Sequence, residues 1–261
     1  MVAVVTGPAV AQLPIGRGRP GAVEAGLGVP TWLPVDHPVA WFRAAPTTDQ
    51  AASADVIART VRAGVEAGVP VVGVLLQAGL GTGSGLDDLC GWGRVARALA
   101  GASGQVPTLL VVDGPCLGGP ALLLGLVDVV LMTARGQAFV NAPASSARIT
   151  GSAVLDADLV GGSWVHGART GVADIVAVDL DEAFDLAADL LDLLPANSGD
   201  LPRPATSDDP VDRPSSRAAA AVPADGRASY DVRAVIADVV DAETFLELRG
   251  RFGTSVVTGL A

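Results

Sequence analysis

The chain has 261 residues, half of them apolar, which is enough for one large domain or two small ones, and it carries a net charge of −11, which argues against general nucleic-acid binding. All 17 basic residues are Arg, so lysine-based chemistry is excluded, and two Cys (Cys90, Cys116) with two His (His37, His166) argue against a four-thiolate zinc site, a multi-histidine metal site or a histidine triad. No charged leader precedes the apolar start, and the longest apolar run, Pro120 to Met132, is interrupted by Asp128, so the expectation is a soluble cytoplasmic protein without nucleic-acid or membrane partners.

Taken in order, Met1 to Gly7 reads as a strand, residues 8–36 as turns and short extended pieces, and Pro38 to Phe42 as a second strand. Ala51 to Ala67 has helical spacing in Val56, Ile57, Thr60, Val61 and Val65, with Gly68 as its stop. Val69 to Leu76 reads as a buried strand, a glycine-rich loop follows over 78–85, and Asp87 to Ala100 is a helix. Leu109 to Val112 is the next strand, Ala121 to Leu126 a helix apolar all round and therefore expected to be buried, and Val127 to Met132 and Gln137 to Val140 are strands. Ala144 to Ala157 reads as loop and short helix, Gly161 to Ala173 as a loop, Asp174 to Val178 as a strand and Asp181 to Leu194 as a helix stopped by Pro195. Alternating strands and helices predict an α/β layered fold over 1–195. Residues 196–229 read as a linker, Tyr230 to Arg249 as helical, and Val256 to Ala261 nearly repeats Val4 to Ala9, as if a second, similar unit began over 230–261.

The chemistry-bearing stretch is Gly114-Pro115-Cys116-Leu117-Gly118-Gly119-Pro120, between a strand and a helix. Gly114 and Pro115 break the strand, and Pro120 sits where a first helical residue belongs. Gly118 and Gly119 fall at the helix mouth, where backbone N–H groups lack partners and the dipole is positive. Such a turn can hold a carbonyl oxygen that becomes an enolate; the same glycines could serve only close strand–helix packing. The loop at 79–85 fails the G-x-G-x-x-G spacing and no G-K-[ST] occurs, so a nucleotide P-loop is out. Asp87 and Asp88 read as helix-start residues, with carboxylate catalysis as the alternative.

Together, these motifs resemble the N-terminal half of the carboxyltransferase β subunit of biotin-dependent acyl-CoA carboxylases, of the propionyl-CoA carboxylase β and methylmalonyl-CoA decarboxylase α type. The family's G-P-C-A-G-G is matched by Gly114 to Gly119, its G-G-x-x-V-H-G-x-x-S-G-V-A by Gly161 to Ala173, its L-L-x-x-L-P-x-N by Leu190 to Asn197, and its Y-D-V-R-x-V-I-x-x-V-V-D by Tyr230 to Asp241. The resemblance implies a crotonase-like fold in which the amides of Gly118 and Gly119 hold the acyl-CoA thioester oxygen, with Ala78, Gly79, Leu80, Cys116 and Leu117 lining the substrate. It implies no side-chain base, since carboxybiotin, carried on a biotin carboxylase or carrier partner, releases CO2 and takes up the α-proton. A carboxyltransferase partner would supply the biotin-side half, in a hetero- or homo-oligomer. The family's D-S-G-G-A-R loop falls on Leu76 to Gly81, where its Asp, Ser and Arg are lost, and its lysines are gone, leaving Arg59, Arg62, Arg94 and Arg97 as substitute cations. The alternatives are a biotin-independent malonyl- or methylmalonyl-CoA decarboxylase and a non-catalytic assembly subunit. Cys116 reads as a buried filler beside the glycines, His166 as a residue that orders its loop, and Trp92 and Trp164 as packing residues.

Overall fold

A computed structural model describes residues 23–46, 49–77, 85–151, 156–204, 209–210, 212–242 and 244–261. The strand read at Met1 to Gly7, the first copy of the terminal repeat, and the loop residues 78–84 lie outside these.

The first described strand, β1 (Glu24–Gly28), lies in the stretch read as turns and short extended pieces. Its glycines hide its alternation in the sequence; pairing decides it, through an antiparallel ladder with β2 (Val39–Ala44) in which Gly26 faces Trp41. A Cβ on Gly26 would stand 2.8 Å from the Trp41 ring, so the glycine makes room for it. Helix α1 (Gln50–Ala67) starts where Asp49 accepts the Ala52 N–H at 3.0 Å and stops at Gly68, whose φ of 65° is left-handed. Strand β3 (Val71–Leu76) follows, then α2 (Leu86–Ala102), whose first turn carries Asp87 and Asp88. Gly91 lets α2 close on α1, since a Cβ there would meet the Ala54 Cβ at 3.0 Å.

Strand β4 (Thr108–Asp113) leads into a short strand β5 (Pro115–Leu117), a one-turn helix α3 (Gly119–Leu122) and a 3-10 turn over Leu123–Gly125. The buried helix expected over 121–126 is thus corrected: Leu122 is 53% and Leu126 37% exposed, because Gly125 ends the coil and the chain must return at once to β6 (Val129–Thr133). Asp128 makes that return, accepting the Thr108 N–H at 2.8 Å and hydroxyl at 2.7 Å, while its own N–H donates to the Thr108 hydroxyl oxygen at 3.0 Å. Next come β7 (Gln137–Phe139), α4 (Pro143–Thr150), α5 (Ala157–Gly161), α6 (Ser163–Val165), a π-type turn over His166–Thr170, β8 (Ile175–Ala177) and α7 (Leu180–Leu193).

Six strands form one sheet in the order β1-β2-β3-β4-β6-β8, parallel except for β1. Both faces are covered, which explains the near-continuous apolar runs of β3, β4 and β6. Leu110, Val112, Val130 and Met132 pack on the α1–α2 side; Leu109, Val111, Val129 and Leu131 face Phe184, Ala187 and Leu190 of α7. β5 and β7 form a separate parallel pair.

Beyond α7, Asn197 donates to the Gly68 carbonyl at 3.0 Å, and the Ser198 N–H to Gln105 O at 2.8 Å. A short helix α8 (Ser216–Ala221) lies within 196–229 and packs with α9 (Arg233–Val239), where Asp238 accepts the Ala218 N–H at 2.8 Å. The helical reading of Tyr230 to Arg249 holds only over α9. Residues 246–248 are a strand, β9 (Leu246–Leu248), paired antiparallel with β10 (Thr258–Leu260), and Leu246, Leu248 and Leu260 pack on the α7 side of the sheet. Tertiary pairing overrides the local period there. Arg249 fastens this hairpin: its Nε donates to buried Asp174 at 2.7 Å and its N–H to the Asp174 carbonyl at 2.7 Å.

Candidate functional site

The chain between β4 and α3 requires glycine at three positions, for different reasons. Gly114 has φ +81° and sits under the Gln77 side chain, whose Cγ would be 2.9 Å from an added Cβ. Gly118 has φ +74° and ψ −126°, a conformation essentially confined to glycine, with no atom within 4 Å of a would-be Cβ. Gly119 has no positive φ, but a Cβ on it would lie 2.3 Å from the Trp92 Cγ and 2.4 Å from its Cδ1. Trp92, buried in α2, is therefore the wall against which the turn is built.

The two candidate amides are not equivalent. The Gly118 N–H donates to the Phe139 carbonyl at 2.8 Å, extending the β5–β7 ladder by one residue. This corrects the expectation of two open amides: the parallel pairing takes up the first. The Gly119 N–H, at the start of α3, has no hydrogen-bond partner among the described residues, and Gly119 is only half-buried. Pro120 follows as the second helical residue rather than the first and offers no N–H.

Cys116 is fully buried in the α1–α2 cluster, so its side chain offers a ligand no contact and instead packs beneath the turn. Burial pushes its thiol up to about 12, which keeps it protonated and removes it as a nucleophile. Leu117 is half-buried and pairs with Phe139. Ala78, Gly79 and Leu80 lie outside the described residues. Just before them, Gln77 takes a left-handed φ of 52° and donates its N–H to the Asp113 carbonyl at 3.1 Å, ending β3 beside Gly114.

The other ionisable groups near the turn are committed. His166 has Nε2 3.0 Å from the Ala138 carbonyl and Nδ1 3.0 Å from the Thr170 hydroxyl. A carbonyl only accepts, so Nε2 carries the proton. Asp113, at the end of β4, is buried and receives Arg135 Nε at 2.7 Å and the Thr133 hydroxyl at 2.8 Å. The Arg135 guanidinium, then Thr133, holds its carboxyl below the ordinary range against the opposing effect of burial. By strand alternation Asp113 lies on the α7 side, where it lines a cavity of about 370 Å³ with Thr133, Arg135 and Asp179 at the carboxyl ends of β4 and β6. That cavity does not include the glycine turn. Asp87 is exposed and Asp88 half-buried in the first turn of α2, the place where negative charge favours a helix start. Arg59, Arg62, Arg94 and Arg97 occupy the outer faces of α1 and α2, and Arg94 is paired with Asp55 at 2.8 Å. What sequence reasoning missed is the role of Trp92 and of the Phe139 carbonyl; neither leaves a local signal, because both reach the turn from other elements.

Comparison with known proteins agrees with this architecture. Residues 38–261 match the carboxyl transferase domain. The chain is 33% identical over 205 residues to the methylmalonyl-CoA carboxyltransferase 12S subunit of Propionibacterium freudenreichii subsp. shermanii, covering 78% of this chain and 39% of that protein. It is 31% identical over 207 residues to the methylmalonyl-CoA decarboxylase subunit alpha of Veillonella parvula (78% and 40%) and 31% identical over 207 residues to the propionyl-CoA carboxylase beta chain of Rhodococcus erythropolis (78% and 42%). The chain thus spans about two fifths of the length of these relatives. The crystal structure of the transcarboxylase 12S hexamer with methylmalonyl-coenzyme A and methylmalonic acid bound superposes with a TM-score of 0.82 at 28% identity, over 91% of this chain and 46% of that one. The crotonase-like α/β fold implied by the motifs is the fold found. With its sheet, its glycine turn and its ordered motifs matched across residues 38–261, the chain belongs to the carboxyl transferase family.

Proposed function

We propose that this chain is the acyl-CoA side of a carboxyltransferase: it binds an acyl-CoA thioester and stabilises negative charge on the thioester oxygen during carboxyl transfer. The observation that carries this is the unbonded Gly119 N–H at the start of α3, held in a half-buried turn by Trp92 and by the Gly118–Phe139 bond. An amide fixed in advance at the site of developing charge lowers the barrier to enolate formation. Carboxybiotin, carried on a biotin carboxylase or carrier partner, supplies the CO2 and the proton acceptor. The commitment of Cys116, His166 and Asp113 to other contacts fits a reaction whose base comes from outside this chain. A carboxyltransferase partner supplies the biotin-side half, within an oligomer, and residues 230–261 open a unit of the same kind as the first. The near-repeat of Val4 to Ala9 in Val256 to Ala261 supports that last point. The proposed setting is the cytoplasm, which suits the free thiols Cys90 and Cys116; no described helix is long and apolar enough to cross a membrane.

Calorimetric titration of the chain with propionyl-CoA and methylmalonyl-CoA tests the proposal, beside a propyl-CoA thioether that lacks the carbonyl. The thioesters are expected to bind in the micromolar range and the thioether about tenfold more weakly, the worth of roughly one hydrogen bond. Equal binding of thioester and thioether would remove the turn from the reading, and CO2 release from methylmalonyl-CoA without acceptor would turn it into the decarboxylase reading.

A further inference from the structure

The loop over Gly161–Thr170 lies flush against β7. A Cβ on Gly161 would be 2.4 Å from the Ala138 carbonyl oxygen and 2.6 Å from the Phe139 ring, so only glycine fits. The Ser163 hydroxyl reaches the Ala134 carbonyl at 3.1 Å, and Gly162 forms a bridge with Gln137. β7 is the strand whose Phe139 carbonyl holds Gly118.

The hydrogen-bond pattern of β7 makes one side chain of this loop decisive. The Gln137 N–H donates to the Gly114 carbonyl at 3.1 Å and the Phe139 carbonyl accepts from Gly118 at 2.8 Å, so residues 137 and 139 turn their polar groups toward β5. The carbonyl of Ala138, between them, therefore faces away from β5. No second strand pairs with β7 in the described sheet, and Ala138 is buried. Its acceptor is met by His166, whose Nε2–H stands 3.0 Å away and whose Nδ1 accepts from Thr170 in the same tautomer. The imidazole thus does for β7 what a neighbouring strand would do.

We propose that His166 is a positioning residue: by occupying the Ala138 carbonyl it fixes β7, and through the Phe139 carbonyl it sets the Gly118–Gly119 turn in which the Gly119 N–H is presented. As far as it concerns substrate, this rests on the acyl-thioester reading above; as far as it concerns the turn, it does not. His166→Gln keeps a donor near the Nε2 position, whereas His166→Asn keeps only a group near Nδ1 and leaves the buried carbonyl unmet.

The test is amide hydrogen exchange by NMR on the full chain, comparing Gly118 with Val111 in the middle of the sheet, together with titration by propionyl-CoA. In His166→Asn the Gly118 N–H is expected to exchange about tenfold faster relative to Val111, and propionyl-CoA to bind about tenfold more weakly, the scale of one lost hydrogen bond at a buried acceptor. In His166→Gln both stay within about threefold of the parent, since that bond is kept. Unchanged Gly118 exchange in the Asn variant, or identical behaviour of Asn and Gln, overturns the proposal. Should the Asn variant not fold, Thr170→Val decides in its place: it frees the ring from its fixed tautomer, and faster Gly118 exchange supports the proposal while unchanged exchange overturns it. If the parent chain binds no propionyl-CoA, the exchange result still decides the role of His166, and it is the acyl-thioester reading that falls.

Discussion

Replacing Gly119 by Ala puts the steric account of the turn at risk in sign as well as size. The position has no positive φ and opens a helix, so a Cβ would by itself favour the folded state by about 0.5–1 kcal/mol through propensity and chain entropy. The tertiary structure says the opposite: that Cβ would stand 2.3 Å from the Trp92 Cγ and 2.8 Å from its Cβ. Trp92 is only 8% exposed and packs in the same cluster as Val95, Leu99 and Leu123, so it cannot swing aside freely. Overpacking of this kind costs about 1–3 kcal/mol. For a chain of this size that lowers the melting temperature by roughly 2–4 °C per kcal/mol. The assay is urea unfolding followed by circular dichroism, run as a cycle with Trp92→Leu. Trp92→Leu alone loses about 2–4 kcal/mol to a cavity. In that background the Ala at 119 fits the vacated space, and its penalty falls below about 0.5 kcal/mol, a coupling typical of contacting residues. Gly118→Ala is the control. It meets no atom within 4 Å but must hold φ +74° and ψ −126°, so it loses about 1–3 kcal/mol with or without Trp92. A stabilising Gly119→Ala, or a penalty that Trp92→Leu leaves intact, would refute the reasoning.

Three further outcomes are expected. Under native conditions at mildly alkaline pH one thiol per chain reacts with iodoacetamide, the exposed Cys90, and two react in denaturant, because Cys116 is enclosed and its thiol is pushed up to about 12. Arg135→Met leaves Asp113 buried with Thr133 alone and should lower the urea midpoint at neutral pH; since Arg135 is 70% exposed, the loss is smaller than that of a fully buried pair. The Asp113 carboxyl is held low in the folded state, so its contribution is fully present above the ordinary carboxylate range and fades as pH falls through the lowered value; the gap between parent and variant should close in urea melts below about pH 4. Asp128→Ala strips the Thr108 N–H and hydroxyl of their acceptor and should cost about 1–3 kcal/mol by denaturant titration, while Asp128→Asn, which keeps an acceptor oxygen, should cost less than half of that.

The legibility of the fold followed how local its causes were. α1 was readable to within a residue because its helical spacing and its stop at Gly68 are local signals. β3, β4 and β6 were readable because a parallel strand buried on both faces must be apolar throughout. β1, with its glycines, and β9, inside a helical-looking stretch, were not, since each becomes a strand only by pairing with a partner 10 or more residues away along its register, Gly28 with Val39 and Leu248 with Thr258 being the nearest pairs. The same divide runs through the site. The amino-acid sequence alone determined that Gly114 to Gly119 is a strand–turn–helix unit that tolerates close approach, because glycine and proline act on their own backbone. It left Cys116 between packing and substrate contact, and only its burial in the folded chain assigned it to packing. Only the tertiary structure decided which amide is free. Phe139 arrives from β7 and takes the Gly118 N–H, Trp92 arrives from α2 and makes Gly119 irreplaceable, and His166 arrives from a loop 28 residues beyond the carbonyl it serves. Hydrogen bonds and excluded volume between distant segments have no period and no motif, so their consequences exist only once the chain has closed on itself.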